Sequence, residues 1–232
     1  MATEYNPRIV MDNLVFYVDA ANTKSYTGSG ATWTDIIGGN NVTLYNSPTF
    51  SSDNGGSIVF DDADSAEYAQ SNASSDLIIG TKDYTISMWF KFHTIDPEFG
   101  LIDTRTSGGN GTNVILDDSG SYMRVKVWED NASGFSFQST TDLSINTWYN
   151  VTYTRISNSA SMYINSVKDG SSWTQNYDYA SGNKITLAWN YSTQANKSLD
   201  GNIGQVLFYL DKGFTESEVK QNFDALKGRY GL

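Results

Sequence analysis

The sequence predicts an all-β, antiparallel domain, a sandwich or a barrel, that ends in one short α-helix. Three observations carry this expectation. About a dozen short apolar runs recur at regular spacing, several of them alternating with period two, and Gly, Asn, Asp and Ser punctuate them. Charged residues make up 18% of the chain and aromatics 14%, a mix that suits short strands joined by polar turns. A single T-x-x-E capping signature precedes a helical stripe, and it lies near the C-terminus.

The elements follow in order. Residues 1–12 read as an arm whose Tyr5, Pro7, Ile9, Val10 and Met11 can dock, by default on the chain's own surface. NLVFYVDAA (13–21) is the first strand, followed by a Gly-rich segment in which Trp33 folds back onto the domain. SIVFDDADSAEYAQ (57–70) reads as two short strands about an acidic turn. In DYTISMWFKF (83–92), Ile86, Met88, Phe90 and Phe92 share one face, with Thr85, Ser87, Trp89 and Lys91 on the other. That alternation marks a strand with one face in a core.

The pattern continues through FGLIDTR (99–105), TNVILDD (112–118), YMRVKVWE (122–129) and GFSFQST (134–140). TWYNVTYTR (147–155), ASMYINS (160–166), KITLAWNY (184–191) and GQVLFYL (204–210) complete the series. The helix spans about 215–228. Thr215 and Glu218 form its capping box, and Val219, Phe223 and Leu226 form one apolar stripe. Lys227 stands in the last turn and Gly228 is the expected left-handed exit. With no internal repeat and no linker, residues 13–232 read as a single domain including this helix.

Composition excludes several classes. The net charge is −11 with no basic run, so a general nucleic-acid binder is not expected, because phosphate contacts need clustered Lys and Arg. Cysteine is absent, so neither a disulfide nor a thiolate metal site is available. The N-terminus lacks the basic-then-apolar pattern of a secretory signal, and no apolar run approaches a membrane span. The expectation is a protein folded in a reducing cytosol.

LVFYVDAANTKSYTGSGATWTDIIGGNN, GGSIVFDDADSAEYA, YTISMWFKF, TWYNVTYTR, SMYINS and LDGNIGQVLFYLDKGFTESEV together resemble the laminin-G-like, concanavalin-A-like jelly-roll family. The resemblance covers almost the whole chain and implies a β-sandwich of two antiparallel sheets. It is nearest to the form found in virion proteins of marine bacteriophages, through Tyr5–Val10, Asp19 with Ala20, the F-T-x-x-E-V helix start and Arg229–Leu232. Two turns depart from the family pattern. F-D-G-x-D-D-Y becomes Phe60, Asp61, Asp62, Ala63, Asp64, and I-N-G becomes Ile164, Asn165, Ser166.

Candidate chemistry follows from residue types. Glucanases of this fold place paired carboxylates on one strand as E-x-D-x-E, which supplies the separation that retaining hydrolysis requires; no such triplet occurs, and His93 has no G-x-S-x-G partner. The expectation is therefore a non-enzyme. Asp61, Asp62 and Asp64, with Asp200, are hard oxygen ligands suited to Ca²⁺, and the family often carries calcium at a sandwich rim. Their alternative role is to accept backbone N–H groups in turns. Trp173, Asn176, Tyr177, Asp178 and Tyr179 lie in a polar stretch, SSWTQNYDYASG (171–182), and form the candidate ligand or partner contact.

The resemblance implies a virion structural protein, a capsid decoration or a tail or fibre component, located in the particle and acting through contacts with other virion proteins. Self-association is a further expected contact. The alternative is a carbohydrate-binding adhesin that recognises host-surface glycans. A glycoside hydrolase ranks third.

Overall fold

A computed structural model describes residues 7–61, 66–95, 98–105, 111–118, 120–130, 135–174, 178–179, 183–189 and 198–232. Sixteen strands and one α-helix occur among these residues. In chain order the first eight are β1 (Leu14–Asp19), β2 (Thr32–Trp33), β3 (Val42–Tyr45), β4 (Thr49–Ser51), β5 (Ser57–Phe60), β6 (Tyr68–Ser71), β7 (Tyr84–Phe92) and β8 (Glu98–Asp103). Then come β9 (Gly111–Asp118), β10 (Met123–Asp130), β11 (Phe135–Gln138), β12 (Tyr149–Ile156), β13 (Ser159–Ile164), β14 (Val167–Thr174), β15 (Thr186–Leu187), β16 (Gly201–Leu210) and α1 (Glu216–Leu226).

The strands form two antiparallel eight-stranded sheets. The first runs β14-β13-β12-β7-β16-β5-β4, with β1 also paired to β16; the second runs β11-β10-β9-β8-β15-β6-β3-β2. The two short strands read around residues 57–70 part company, since β5 joins the first sheet and β6 the second. Ile86, Met88, Phe90 and Phe92 point into the space between the sheets, as their alternation predicts, and Trp33 is fully buried there too.

The opposite face of β7 is also buried, which alternation alone does not predict. Trp89, Trp148 and Tyr230 form a second-layer cluster with Phe223 and Leu226 of α1. Leu207, Tyr209, Phe214 and Val219 form another, against which Ile9, Val10 and Tyr17 pack. Each fully buried apolar side chain contributes about 1.5–3 kcal/mol, so covering this face is a substantial part of the fold's stability. Between these patches the sheet presents hydroxyls. Thr152 donates to Ser87 at 3.0 Å, and the Phe214 N–H donates to Thr154 Oγ1 at 2.7 Å. The segment that leads into the helix thus satisfies its backbone on the sheet.

The arm docks in cis along residues 7–12. The Val10 N–H donates to Asn222 Oδ1 at 2.7 Å, Tyr209 Oη donates to the Val10 carbonyl at 2.8 Å, and Gln221 Nε2 donates to the Arg8 carbonyl at 2.7 Å.

The capping box of α1 is present, with the Thr215 N–H donating to Glu218 Oε2 at 2.9 Å and the Glu218 N–H to Thr215 Oγ1 at 3.4 Å. The exit differs from expectation. Beyond Leu226 the chain tightens into a 3-10 turn, Lys227–Tyr230, and Gly231, at φ 79°, rather than Gly228 takes the left-handed position. The extra turn has a physical reason: it carries Tyr230 onto Trp89, 4.2 Å between centroids and 13° from parallel. Gly204 admits that ring, because a Cβ there would stand 2.3 Å from Tyr230 Oη.

The tail also closes on the start of the chain. Arg229 Nη1 donates to Asp19 Oδ1 at 2.7 Å, while its other nitrogens donate to the carbonyls of Asn54 at 2.8 Å and Gly56 at 2.7 Å. Burial beside Asp19 pushes the nearby Tyr17 phenol up to about 12.

The hairpin at Asn165 and Ser166 shows the consequence of losing the family's glycine. Both residues sit at positive φ, 50° and 66°, as a type I′ turn demands, and the second position prefers glycine. A side chain in the left-handed region costs about 1–2 kcal/mol. Ser166→Gly is therefore expected to stabilise the protein by about 1 kcal/mol, read as a higher urea midpoint at an unchanged m-value; an equal or lower midpoint would contradict this account of the turn.

Candidate functional site

The outer face of the second sheet carries a row of mostly polar side chains. Val42, Ala69, Leu187, Val114 and Val127 belong to the main core, so their strand neighbours point outward. In register across the sheet stand Thr43, Gln70, Thr186, Asp103, Asn113 and Trp128. Thr32 and Ser136 extend the row to the two edges, so it crosses all eight strands. A row of this kind arises because antiparallel pairing aligns residues perpendicular to the strands.

Thr32, Thr43 and Ser136 are exposed, Gln70 and Trp128 half-buried, and Thr186, Asp103 and Asn113 buried. At the buried centre Arg105 folds back on Asp103, with Nη2 to Oδ2 at 2.7 Å and Nε to Oδ1 at 3.0 Å. Such a forked, charge-assisted pair fixes both groups in one plane. Beside it, Gln70 Nε2 donates to Thr186 Oγ1 at 2.9 Å.

A second row lies toward β11. Lys126 Nζ bonds Asp117 Oδ2 at 2.8 Å and stands 4.4 Å over the Trp128 ring. Glu98 faces Asp117 directly across β8 and β9. This facing pair is invisible to a search along one strand, since only the register brings the two together. Toward β3, Tyr45 and Tyr68 are cross-strand partners, and Trp189 abuts Tyr68.

The contact residues expected from 171–182 separate on inspection. Asn176 and Tyr177 lie outside the described residues. Trp173 belongs to β14, not to a loop, and its ring stacks on Phe137 at 4.0 Å and packs against the core. Tyr179 is fully buried, its ring 5.7 Å from the Arg155 guanidinium, and offers no face to a ligand. For both of these candidate contact residues the ring packs on the body of the fold, Trp173 half-buried and Tyr179 wholly so. Asp178 is exposed.

Asp169, on the same strand as Trp173, is buried and accepts from the Thr140 N–H at 2.7 Å, the Thr140 hydroxyl at 2.9 Å and the Thr141 N–H at 3.0 Å. Burial opposes its charge, but these bonds outweigh burial and hold its carboxyl below the ordinary value. A depressed carboxyl stabilises the fold above its unfolded pKa, ~3.9, and that contribution is lost as pH falls through the folded value. Asp169→Asn is expected to lower the melting temperature at pH 7 and to narrow the gap to wild type below pH 3.5 or so. A pH-independent difference would count against the linkage.

The calcium candidates are partly brought together. Gly201 pairs with both Phe60 and Phe92, so Asp200 falls between Asp61 and His93 at one end of three strands. Asp200 Oδ1 lies 3.2 Å from His93 Nδ1. The Asp61 N–H is bonded to Glu67 Oε2 at 2.9 Å; burial pushes the Glu67 carboxyl up, and the charge of Asp61 acts the same way against that bond. Asp62 and Asp64 lie outside the described residues. Among the described residues no three His, Cys, Asp or Glu side chains converge in a group able to hold a metal ion.

Two antiparallel sheets packed face to face, with one helix laid on the outer face of the first, are a jelly-roll sandwich of the concanavalin A-like class. The chain belongs to the concanavalin A-like lectin/glucanases superfamily, whose Laminin_G_3 family model matches residues 61–220. No curated protein matches the sequence. Among solved structures, it is similar to the binding domain of Paraclostridial Mosquitocidal Protein 1, at 16% identity and a TM-score of 0.72, over 91% of this chain and 52% of that one. Domain 4 of AbnA, a GH43 extracellular arabinanase from Geobacillus stearothermophilus solved with arabinotriose, matches at 14% identity and a TM-score of 0.68, over 90% and 98%. The botulinum neurotoxin serotype G binding domain matches at 14% identity and a TM-score of 0.68, over 91% and 50%. The chain thus spans about half the length of the toxin binding domains. At these identities the likeness is one of fold.

Proposed function

We propose that the chain is a non-catalytic recognition domain that takes carbohydrate on the outer face of its second sheet. The observation that carries this reading is the polar side chains exposed at the two ends of that row, Thr32 and Thr43 at one edge and Ser136 at the other, with Tyr45, Tyr68 and Trp128 beside them. Amides and hydroxyls exchange hydrogen bonds with sugar hydroxyls, and aromatic rings cover their CH faces. The AbnA domain, solved with arabinotriose, supports the ligand class. The non-catalytic part of the reading is supported by the engagement of Asp103 by Arg105 and of Asp117 by Lys126. A glycan array with and without EDTA tests the proposal: binding to at least one glycan is expected, and no binding in either condition ends it. Binding that EDTA removes would assign a role to the Asp61 and Asp200 end.

A second reading concerns where the domain is displayed, and it is compatible with the first. In it the domain is a structural component of a bacteriophage particle, as a capsid decoration or in the tail or fibre, in contact with other particle proteins. The observation in its favour is that Asp19 and Arg229, from two of the four motifs that carry the phage resemblance, form one ion pair. Mass spectrometry of purified particles tests it. Many copies per particle support decoration, a few support the tail, and absence from the particle removes the reading.

A further inference from the structure

We infer that Asn54 is a site of spontaneous deamidation which the C-terminal tail holds closed, so that its conversion to aspartate or isoaspartate releases the tail one way. The first argument is chemical. Asn-Gly occurs at Asn54–Gly55 and again at Asn110–Gly111. In such a pair the glycine nitrogen attacks the Asn Cγ with no Cβ in its way, and glycine eases the backbone rotation that the attack requires. The only other reactant is water. The Gly55 N–Asn54 Cγ bond forms, the Cγ–Nδ2 bond breaks, and ammonia leaves with the Gly55 amide proton. Water then opens the five-membered imide at either carbonyl, which gives aspartate or isoaspartate.

The second argument is geometric. Asn54 is exposed, so solvent reaches it. Three hydrogen bonds nevertheless hold it. Trp148 Nε1 donates to Asn54 Oδ1 at 3.0 Å, Asn54 Nδ2 donates to the Arg229 carbonyl at 3.0 Å, and Arg229 Nε donates to the Asn54 carbonyl at 2.8 Å. Two of the three are made with the tail. The backbone stands at φ 54° and ψ 31°, and closing the imide requires ψ to rotate away from this value until the Gly55 nitrogen faces Cγ. The tail must therefore lift before the ring can close, and the frequency of that local opening sets the rate.

The third argument is the consequence. Deamidation exchanges Nδ2, a donor, for a carboxylate oxygen that only accepts. In aspartate that oxygen faces the Arg229 carbonyl, an acceptor too. The guanidinium does not compensate, because Asp19 and the carbonyls of Asn54 and Gly56 already engage it. Isoaspartate reroutes the main chain through Cγ and displaces the carbonyl that Arg229 Nε holds. Either product loosens the segment that carries Tyr230 onto Trp89.

The experiment incubates folded protein in mildly alkaline buffer and follows the peptides containing Asn54 and Asn110 by mass spectrometry, with an enzymatic isoaspartate assay alongside. Urea-unfolded wild type supplies the open-chain rate. Folded wild type is expected to deamidate at Asn54 about tenfold or more slowly than this reference, and Arg229→Ala to recover most of the difference. Arg155→Ala, whose lost bonds are to Lys82 and Gly80, is the destabilised control, expected to stay within about threefold of the wild-type Asn54 rate. Circular dichroism checks that each variant is folded during incubation; Arg229→Lys, which cannot reach all three acceptors, replaces an unfolded Arg229→Ala with the same expected direction. Deamidated wild type, separated by ion exchange through its added charge, is expected to melt below the unmodified protein. Equal Asn54 rates in folded and unfolded wild type would show that nothing holds the site. An unchanged rate in the Arg229 variant, or an equal acceleration by Arg155→Ala, would remove the tail's control. Equal melting temperatures would overturn the release.

Discussion

Arg229→Ala lowers the stability of the folded protein by about 3–5 kcal/mol, the range seen when one partner of a buried ion pair is removed. Arg229 and Asp19 are 210 positions apart, yet their side chains meet at 2.7 Å, with 16% and 8% of each exposed. Without the guanidinium, Asp19 keeps its charge in a site that also bonds the Ala21 N–H at 2.9 Å, and the carbonyls of Asn54 and Gly56 lose their donor. The tail would then release Tyr230 from Trp89 and Trp148, which uncovers part of the outer face of the first sheet. For a chain of this length the expected fall in melting temperature is on the order of 10 °C. Asp19→Asn in the Arg229→Ala background should recover part of the loss, because it removes the uncompensated charge. A melting temperature for Arg229→Ala within about 2 °C of wild type would show that the latch contributes little.

Arg155→Ala is expected to cost at least as much. Arg155 is fully buried, its guanidinium lying 4.8 Å from the Tyr84 ring and 5.7 Å from the Tyr179 ring. Nε donates to the Lys82 carbonyl at 3.0 Å and Nη2 to the Gly80 carbonyl at 3.1 Å. The Tyr179 N–H in turn donates to the Gly80 carbonyl at 3.2 Å. Removal leaves a cavity between two aromatic rings and takes the guanidinium donors from two part-buried bonds to carbonyls, about 3–5 kcal/mol together. Arg155→Lys should recover only part of this, because an ammonium lacks the planar fork that spans two carbonyls and stacks on rings. The check is urea unfolding of both variants, with hydrogen exchange at Gly80 and Tyr179. Full recovery by lysine would reduce the role of Arg155 to its charge.

The legible parts of this protein were those governed by near neighbours along the chain. The alternation of Ile86, Met88, Phe90 and Phe92 marks the core face of β7, and Thr215 with Glu218 marks the helix start, because each depends on spacings of two to four residues. The motif pieces that resemble the family led to the right fold. Residues 171–182 show where local reading fails. Their polarity marks a candidate contact stretch, but the Trp173 and Tyr179 rings pack against Phe137 and Arg155 from other strands. Tyr45, Tyr68 and Trp189, three of the aromatic residues outside the core, come from separated segments, and no sequence window contains them together.

The sequence by itself determined the all-β class, the period-two core faces, the capped C-terminal helix and the absence of thiol chemistry. Only the tertiary structure decided that the outer face of the first sheet is covered by the helix, the tail and the arm, and that the polar row of the second sheet is exposed at its two ends and buried at its centre. It also decided that the latch runs from Asp19 to Arg229 and that Arg155 is buried. The physical reason is range. Periodicity and capping are set by bonds a few residues apart, whereas register and the pairing of buried charges depend on which distant segments pack together.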